Sequence, residues 1–290
     1  MSKFGEKLTV RAPAKVNLHL AVKDRRPDGF HDLESVFLAL DFGDTLHFEP
    51  LAGKNALEIA GMSLPVEKNI IFKAVSLFRD RTGFDQGLRI SVEKRIPLGS
   101  GMGGGPSDAA STLLALNKLA EGAVPVLSRD ALLEMAASLG SDVPFFVSGA
   151  RAAWVTGRGE VIKPVEPPPR CFIVLVNPGF PSETAAAFRL LDDYRSSNSS
   201  FLIPHSSFSL TGNPETWPFR NDFLPVFEDH EKTVYTEILS QLRELGAGFV
   251  GLSGAGSTCF GVFTGKAQAA KAAEALLKWW NFVQFTFPVN

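Results

Sequence analysis

Residues 95–116 read RIPLGSGMGGGPSDAASTLLAL, and the reading of the fold starts from them. Five glycines fall between Gly99 and Gly105; Pro106-Ser107-Asp108 follows, then an apolar run suited to a helix. Glycine at this density lets backbone N–H groups converge on a ligand with no side chains between them. The helix behind the loop adds unpaired N–H groups and the positive end of its dipole, so an anion belongs there. Pro106 suits a first helical turn, where its missing N–H would have no intrahelical partner. An ordinary turn before a helix needs one or two glycines, and this density points to phosphate instead.

Two common phosphate motifs fail against the loop. Gly99 to Gly104 satisfies GxGxxG, and LRISVEKRI before it reads as a strand. A dinucleotide fold would next need a strand ending in an acid that reaches the ribose. Here the helix runs into Glu121-Gly122 and another helix begins near Ser128, so that acid has no strand to end. A P-loop needs GK[ST] after its glycines, and Gly265-Lys266 is followed by Ala267.

Composition narrows the classes. The 290 residues are 45% hydrophobic and 21% charged, as in a folded soluble protein of one or two domains. A net charge of −2 argues against a partner held through nucleic-acid phosphates. The two cysteines, Cys171 and Cys259, lie in apolar strand-like runs and read as buried thiols, which fits a reducing cytoplasm. MSKFGEKLTV lacks an apolar signal core, and no apolar stretch approaches membrane-spanning length.

Along the chain, strands are expected over 8–22, 35–42, 45–50 and 56–60, and a helix over 69–81 that Thr82-Gly83 ends. A helix capped by Ser128 and stopped by Gly140 follows the glycine-loop helix, then a strand around ARAAWVTG. A proline-rich shift at 163–169 suggests a boundary, dividing the chain into 1–165 and 166–290. The second half reads as strand 171–176, a helix around 183–193, an exposed Ser/Asn/Pro-rich loop over 195–218 and a helix over 229–245. Strands GFVGL and TCFGVF, a helix over 267–280 and a strand FVQFTF complete an α+β pattern.

Several side chains are candidates for chemistry. Lys15 and Asn17 lie two apart on a strand and so face the same way. A lysine there also fits an edge strand that discourages aggregation. Asp142, between Gly140-Ser141 and Val143-Pro144, fits a base or a helix cap. Asp28-Gly29 marks a turn just before Phe30-His31. Ser253-Gly254-Ala255-Gly256-Ser257 is a tight hairpin or a second wall of the anion site.

Together, PAKVNLHL (13–20), PLGSGMGGGPSDAA (97–110) and LSGAGSTCF (252–260) resemble the three motifs of the GHMP small-molecule kinases. Within that superfamily, PDGFHDL (27–33) and GSDVPFF (140–146) resemble the branch that phosphorylates a diphosphocytidyl-methylerythritol on the non-mevalonate route to isoprenoid precursors. The resemblance implies a ribosomal S5 domain 2-like N-terminal domain packed on a ferredoxin-like C-terminal domain, with ATP and Mg²⁺ in the cleft. By position it implies Asp142 as the base for the 2-hydroxyl, Lys15 as the neutralising cation beside it, and Asn17 in the same pocket. Phe30 and Phe188 would sandwich the cytosine and His31 would hydrogen-bond its edge. Pro97, Gly99, Gly101, Gly103, Gly104, Gly105 and Ser107 would hold the ATP phosphates, with Ser107 the candidate Mg²⁺ ligand and Asn69 and Lys94 near the nucleoside. Thr184, Gly254, Ala255, Gly256 and Ser257 would approach the substrate. The expected partner is the small-molecule substrate, with no nucleic acid and no membrane, and the expected state is a monomer or weak homodimer.

Two departures stand out: Phe30 replaces a common Tyr, keeping the ring and losing a hydroxyl, and Pro106 replaces a common Ser. The rival readings are another GHMP kinase, an S5-like RNA-binding module, and a nicotinamide oxidoreductase. DGFH and the Phe30/Phe188 pair speak against the first, because mevalonate, homoserine and sugars have no base to stack. Acidic balance and the Lys15/Asp142 pair oppose the second, and the missing ribose acid opposes the third.

Overall fold

The computed structural model describes residues 7–62, 65, 69–197, 210–229 and 233–289. Its spine is a long antiparallel hairpin of β1 (Leu8–Arg25) and β2 (His31–Leu51), turned at Gly29 with φ +85°. The hairpin is apolar on both faces because both are covered. Ala14, Val16, Leu18, Val36, Leu38 and Leu40 pack one way, and Ala12, Phe37 and Ala39 the other. Period-two alternation separates Val36, Leu38 and Leu40 from Phe37 and Ala39, and Ala12, although two residues from Ala14, lies beyond the bulge at Pro13/Ala14 and packs with the other set.

β3 (Leu57–Ala60), β4 (Gly87–Glu93), β5 (Ala152–Thr156) and β6 (Val161–Val165) complete a six-stranded sheet. β1 takes one edge of β2, while β4 and β5 share the other. Helices α1 (Ile70–Thr82), α2 (Gly104–Leu119), α3 (Arg129–Leu139) and α4 (Val143–Ser148) cover its outer face through Ile71, Phe78, Leu113, Leu116 and Phe145. The second half forms a four-stranded antiparallel sheet ordered β10-β7-β9-β8. Its strands are β7 (Phe172–Asn177), β8 (Phe249–Leu252), β9 (Cys259–Phe263) and β10 (Phe282–Thr286). α5 (Thr184–Ser197), α6 (Phe223–Asp229), α7 (Thr233–Glu244) and α8 (Lys266–Leu276) pack on its far face against Val174, Val176 and Cys259. Ile173, Leu175, Phe260 and Val262 meet the hairpin, so the two sheets share a core between two helical layers. The strand order and crossovers are those of a ferredoxin-like domain, and the α+β class expected from the sequence holds.

Four elements differ from the sequence expectation. Residues 35–50 form one strand rather than two, because Gly43-Asp44 is a bulge opposite Pro13 and not a turn. A Cβ on Gly43 would fall 2.2 Å from the Ala12 carbonyl oxygen, so only glycine lets the strands stay together there. α4 and α6 are too short to show a 3.6-residue period, and neither is in the sequence reading. β6 incorporates Lys163-Pro164, where the composition shift that suggests a boundary begins; it is an edge strand, where a missing N–H is tolerated. Of the expected loop at 195–218, residues 198–209 lie outside the described residues. Leu210 and Trp217 beyond them are buried in the inter-sheet core, so that part is not an exposed loop.

Candidate active site

A cavity of about 820 Å³ opens between the hairpin, the N-terminus of α2 and α5. Three glycine- and serine-bearing segments close one end. The Lys15 N–H donates to the Met102 carbonyl at 2.9 Å, and the Ser253 hydroxyl donates to the Gly101 carbonyl at 2.9 Å. Gly101 has φ +76°, and a Cβ there would lie 2.1 Å from the Ser253 carbonyl oxygen. That approach is what the glycine is for. Thr258 N–H donates to Ser100 and Ser182 N–H to Gly99, tying the loop to the second half at 3.1 and 2.8 Å. Gly103, left-handed at φ +71°, serves as the N-cap of α2, so the helix starts at Gly104 with Pro106 in its first turn.

Lys15 and Asn17 project from β1 into this end. Lys15 is 3% exposed; its Nζ donates to Asn17 Oδ1 at 2.6 Å, lies 3.3 Å from Asp142 Oδ2 and sits 4.7 Å above the Phe37 ring. Asn17 Nδ2 donates to Ser35 Oγ at 2.9 Å, which fixes the carboxamide with its oxygen toward the lysine. Burial rules out the edge-strand role, because a lysine that discourages aggregation must face water. Asp142 occupies the N-cap position of α4 but makes no side-chain cap bond, so its carboxylate is not spent on the helix. Its oxygens face the cavity beside a cation.

Lys94 follows a different logic. Its ammonium sits between two wholly buried carboxylates, Asp44 at 2.5 Å and Asp108 at 2.8 Å. Asp44 also accepts the N–H groups of Arg95 and Ile96 at 2.6 and 2.9 Å. Burial alone would lower Lys94, and the two carboxylates outweigh it and hold the ammonium above its usual range; burial pushes Asp108 up. The cluster ties the strand before the glycine loop to the helix after it. Neither aspartate carries a local sequence signal, since their partner lies 50 and 14 residues away.

At the other end, His31 and Phe188 stack with centroids 5.1 Å apart, and Phe188 meets Phe223 edge-on. His31 Nε2 is 2.8 Å from Asp192 Oδ1. Phe30 is 53% exposed with the Arg158 guanidinium 5.2 Å over its ring. Phe30 and Phe188 both line the cavity, each already covered on one side by a neighbour. Asp192 and Arg158 are absent from the sequence reading. The spacing of Asp192, four residues beyond Phe188 on one helix face, is the signal that could have found it.

Of the expected site residues, Pro97, Gly99, Gly103, Gly104, Gly105, Thr184, Gly254 and Ala255 also line the cavity. Asn69 does not: it caps α1, its Oδ1 accepting from Ile71 N–H at 2.9 Å. Gly256 and Ser257 are turned away, the Ser257 hydroxyl donating to the Phe180 carbonyl and accepting from Asn177 Nδ2. Ser107 is fully buried one turn inside α2, and its Oγ has no hydrogen-bond partner among the described residues. Ser107 itself does not line the cavity, which stops at Pro106; a buried orphan hydroxyl directly behind the glycine loop fits a magnesium–nucleotide ligand. Among the described residues no group of three His, Cys, Asp or Glu could hold a metal by itself. No described helix is long and apolar enough to cross a membrane, and the two cysteines are buried and free.

Residues 69–150 match the model of the GHMP kinases N terminal domain, and residues 229–281 that of the GHMP kinases C terminal domain. The chain is 41% identical over 278 residues to 4-diphosphocytidyl-2-C-methyl-D-erythritol kinase of Paraburkholderia phytofirmans, covering 93% of this chain and 90% of that one. It belongs to the 4-diphosphocytidyl-2-C-methyl-D-erythritol kinase family. The relative in Burkholderia thailandensis is 39% identical over 275 residues, again with 93% and 90% covered. A crystal structure of a 4-(cytidine 5'-diphospho)-2C-methyl-D-erythritol kinase superposes with a TM-score of 0.80 at 33% identity, covering 98% of this chain and all of the other. Homoserine kinase from Cytophaga hutchinsonii, 18% identical with a TM-score of 0.67 over 98% and 94% of the two chains, shares the fold. As a member of this kinase family, the chain is an ATP-dependent phosphotransferase of small molecules, and the cavity combines a glycine loop at a helix N-terminus with an aromatic end.

Proposed function

We propose that the chain transfers the γ-phosphoryl group of ATP to the 2-hydroxyl of 4-diphosphocytidyl-2-C-methyl-D-erythritol, a step toward isoprenoid precursors. The observation that carries this reading is the Lys15–Asp142 pair at 3.3 Å, in one cavity with the N-terminus of α2 and with Phe30, His31 and Phe188. Asp142 takes the hydroxyl proton as the oxygen attacks phosphorus and the bond to the β-phosphate breaks. Lys15, fixed by Asn17, orients Asp142 and offsets charge gathering on the transferred group. A carboxylate base typically contributes about 10²–10⁴ in rate, with positioning and charge neutralisation supplying the rest.

Gly101 to Gly105 and the first turn of α2 take the phosphates, and Lys94 acts from behind as a brace more than as a ligand. Ser107 would hold Mg²⁺, which when bound neutralises phosphate charge. The aromatic end takes the cytosine. In this reading residues 1–165 carry most of the ATP end and 166–290 supply α5 and the Gly254-Ala255 wall, in a cytoplasmic monomer or weak homodimer.

ADP release with ATP and Mg²⁺ over a panel of acceptor alcohols tests the assignment. Turnover is expected with diphosphocytidyl-methylerythritol and not with mevalonate, homoserine or galactose. Turnover on mevalonate alone would overturn it.

A further inference from the structure

We infer that Asp192 is a specificity-determining positioning residue: by holding His31 Nε2 in its protonated form, it leaves Nδ1 as an acceptor that selects a base bearing an exocyclic amine over one bearing a carbonyl. The inference rests on the cytidine reading of the aromatic end.

His31 is 7% exposed, held between the Phe188 ring at 5.1 Å and the Asp192 carboxylate at 2.8 Å. A carboxylate has no proton to give, so the hydrogen of that bond belongs to the imidazole and sits on Nε2. The neutral ring then has a lone pair on Nδ1, and no protein group among the described residues hydrogen-bonds that nitrogen. His31 lines the cavity, so the acceptor is offered to a ligand. Cytosine meets it with an amine; uracil would set a carbonyl oxygen against a lone pair. A site arranged to pair with a donor rejects the analogue that lacks it far more strongly than an apolar pocket rejects a change of shape.

α5 is well placed to impose this. Phe188 and Asp192 share one face of that helix, so ring stacking and tautomer control come from the same rigid element. Arg195, nearly a turn further, donates to the Val22 carbonyl at 2.5 Å and to Asp222 at 3.1 Å, fixing the helix against β1.

The probes are CDP and UDP, with affinity measured by calorimetry for the wild type, Asp192→Asn, Asp192→Ala and Asp192→Glu. The wild type should prefer CDP by about 10- to 100-fold, the range for leaving one buried polar group unpaired. A carboxamide can donate or accept, so Asp192→Asn admits both tautomers; its CDP:UDP ratio should fall to within about threefold, with UDP gaining as CDP loses. Asp192→Ala should lose the preference too, and Asp192→Glu should keep most of it. A merely structural role would weaken both nucleotides alike at constant ratio, and that result overturns the inference. Nitrogen-15 spectra of the imidazoles, with His31 assigned from His31→Gln, should show Nε2 protonated and Nδ1 bare in the wild type. A protonated Nδ1 overturns it as well. Because these readouts need no turnover, they are separable from the kinase reading, which fails instead if the wild type does not phosphorylate diphosphocytidyl-methylerythritol.

Discussion

A lysine that is 3% exposed has exchanged water for Asn17, Asp142 and the face of Phe37, and each contact constrains what the site can do. An unpaired buried cation would be strongly disfavoured, so Lys15 and Asp142 depend on one another. The carboxylate is partly open to the cavity, which leaves it able to accept a proton from a ligand. Asp142→Asn keeps the shape and removes both the proposed base and the compensating charge. Its kcat should fall at least about 10²-fold with the KM for ATP nearly unchanged, measured by steady-state kinetics. If kcat stays within a few-fold of wild type, Asp142 serves only as the lysine's partner. At this scale the sequence was partly legible. Two-residue spacing put Lys15 and Asn17 on one side of a strand, and the family resemblance supplied their roles. Asp44 and Asp108 were not legible, because each acquires its meaning from a partner that only the fold brings near.

The element that most repays close reading is α2 with the loop before it. The sequence reads the glycines as a phosphate loop, and the structure shows what the backbone needs of two of them: Gly101 lies against Ser253, and Gly103 turns the chain into the helix. Ser107 is the unusual member, a wholly buried hydroxyl with no partner among the described residues. Such a group destabilises the protein unless a ligand satisfies it. Ser107→Ala should therefore leave stability unchanged or slightly raised without nucleotide, while raising the KM for ATP or lowering kcat roughly tenfold. Denaturant unfolding of the free protein, beside kinetics at saturating acceptor, separates the two effects. A large loss of stability with normal kinetics would make Ser107 a packing residue. Pattern reading failed on elements where tertiary context overrides local signals. Gly43-Asp44 breaks the strand pattern and is a bulge, Lys163-Pro164 opens the proline-rich shift and is an edge strand, and α4 is too short to be periodic.

In the whole molecule, the site exists only because two sheets are locked at one spacing, and Asp222 is a principal fastener. Its Oδ2 accepts the Val22 N–H from β1 at 2.9 Å and Arg195 Nη2 from α5 at 3.1 Å; its Oδ1 accepts Arg220 Nε at 3.2 Å. Around it the backbone of Leu20 bonds to Arg220 and Asp222 at 2.8 and 3.0 Å, and Asn221 Nδ2 reaches the Leu252 and Gly254 carbonyls at 2.8 Å. The 220–222 segment thus ties β1 both to the helix that carries Phe188 and Asp192 and to the loop that carries Gly254. Burial pushes the Asp222 carboxyl up, against the pull of its N–H and guanidinium partners, so the group has much to lose if they go. Asp222→Ala strands the Val22 N–H and removes one carboxylate partner from each of Arg195 and Arg220, which remain partly in water. It should cost about 2–3 kcal/mol in denaturant unfolding, and Asp222→Asn, which keeps one acceptor, about half that. The kinetic consequence should be lopsided. α5 lies at the aromatic end and the glycine loop is braced separately by Lys94, Asp44 and Asp108, so the acceptor KM should rise several-fold while the KM for ATP stays within about twofold. Equal increases in both would mean that the two ends of the cavity move together, and that the fastener sets the opening of the whole cleft rather than the seat of one helix.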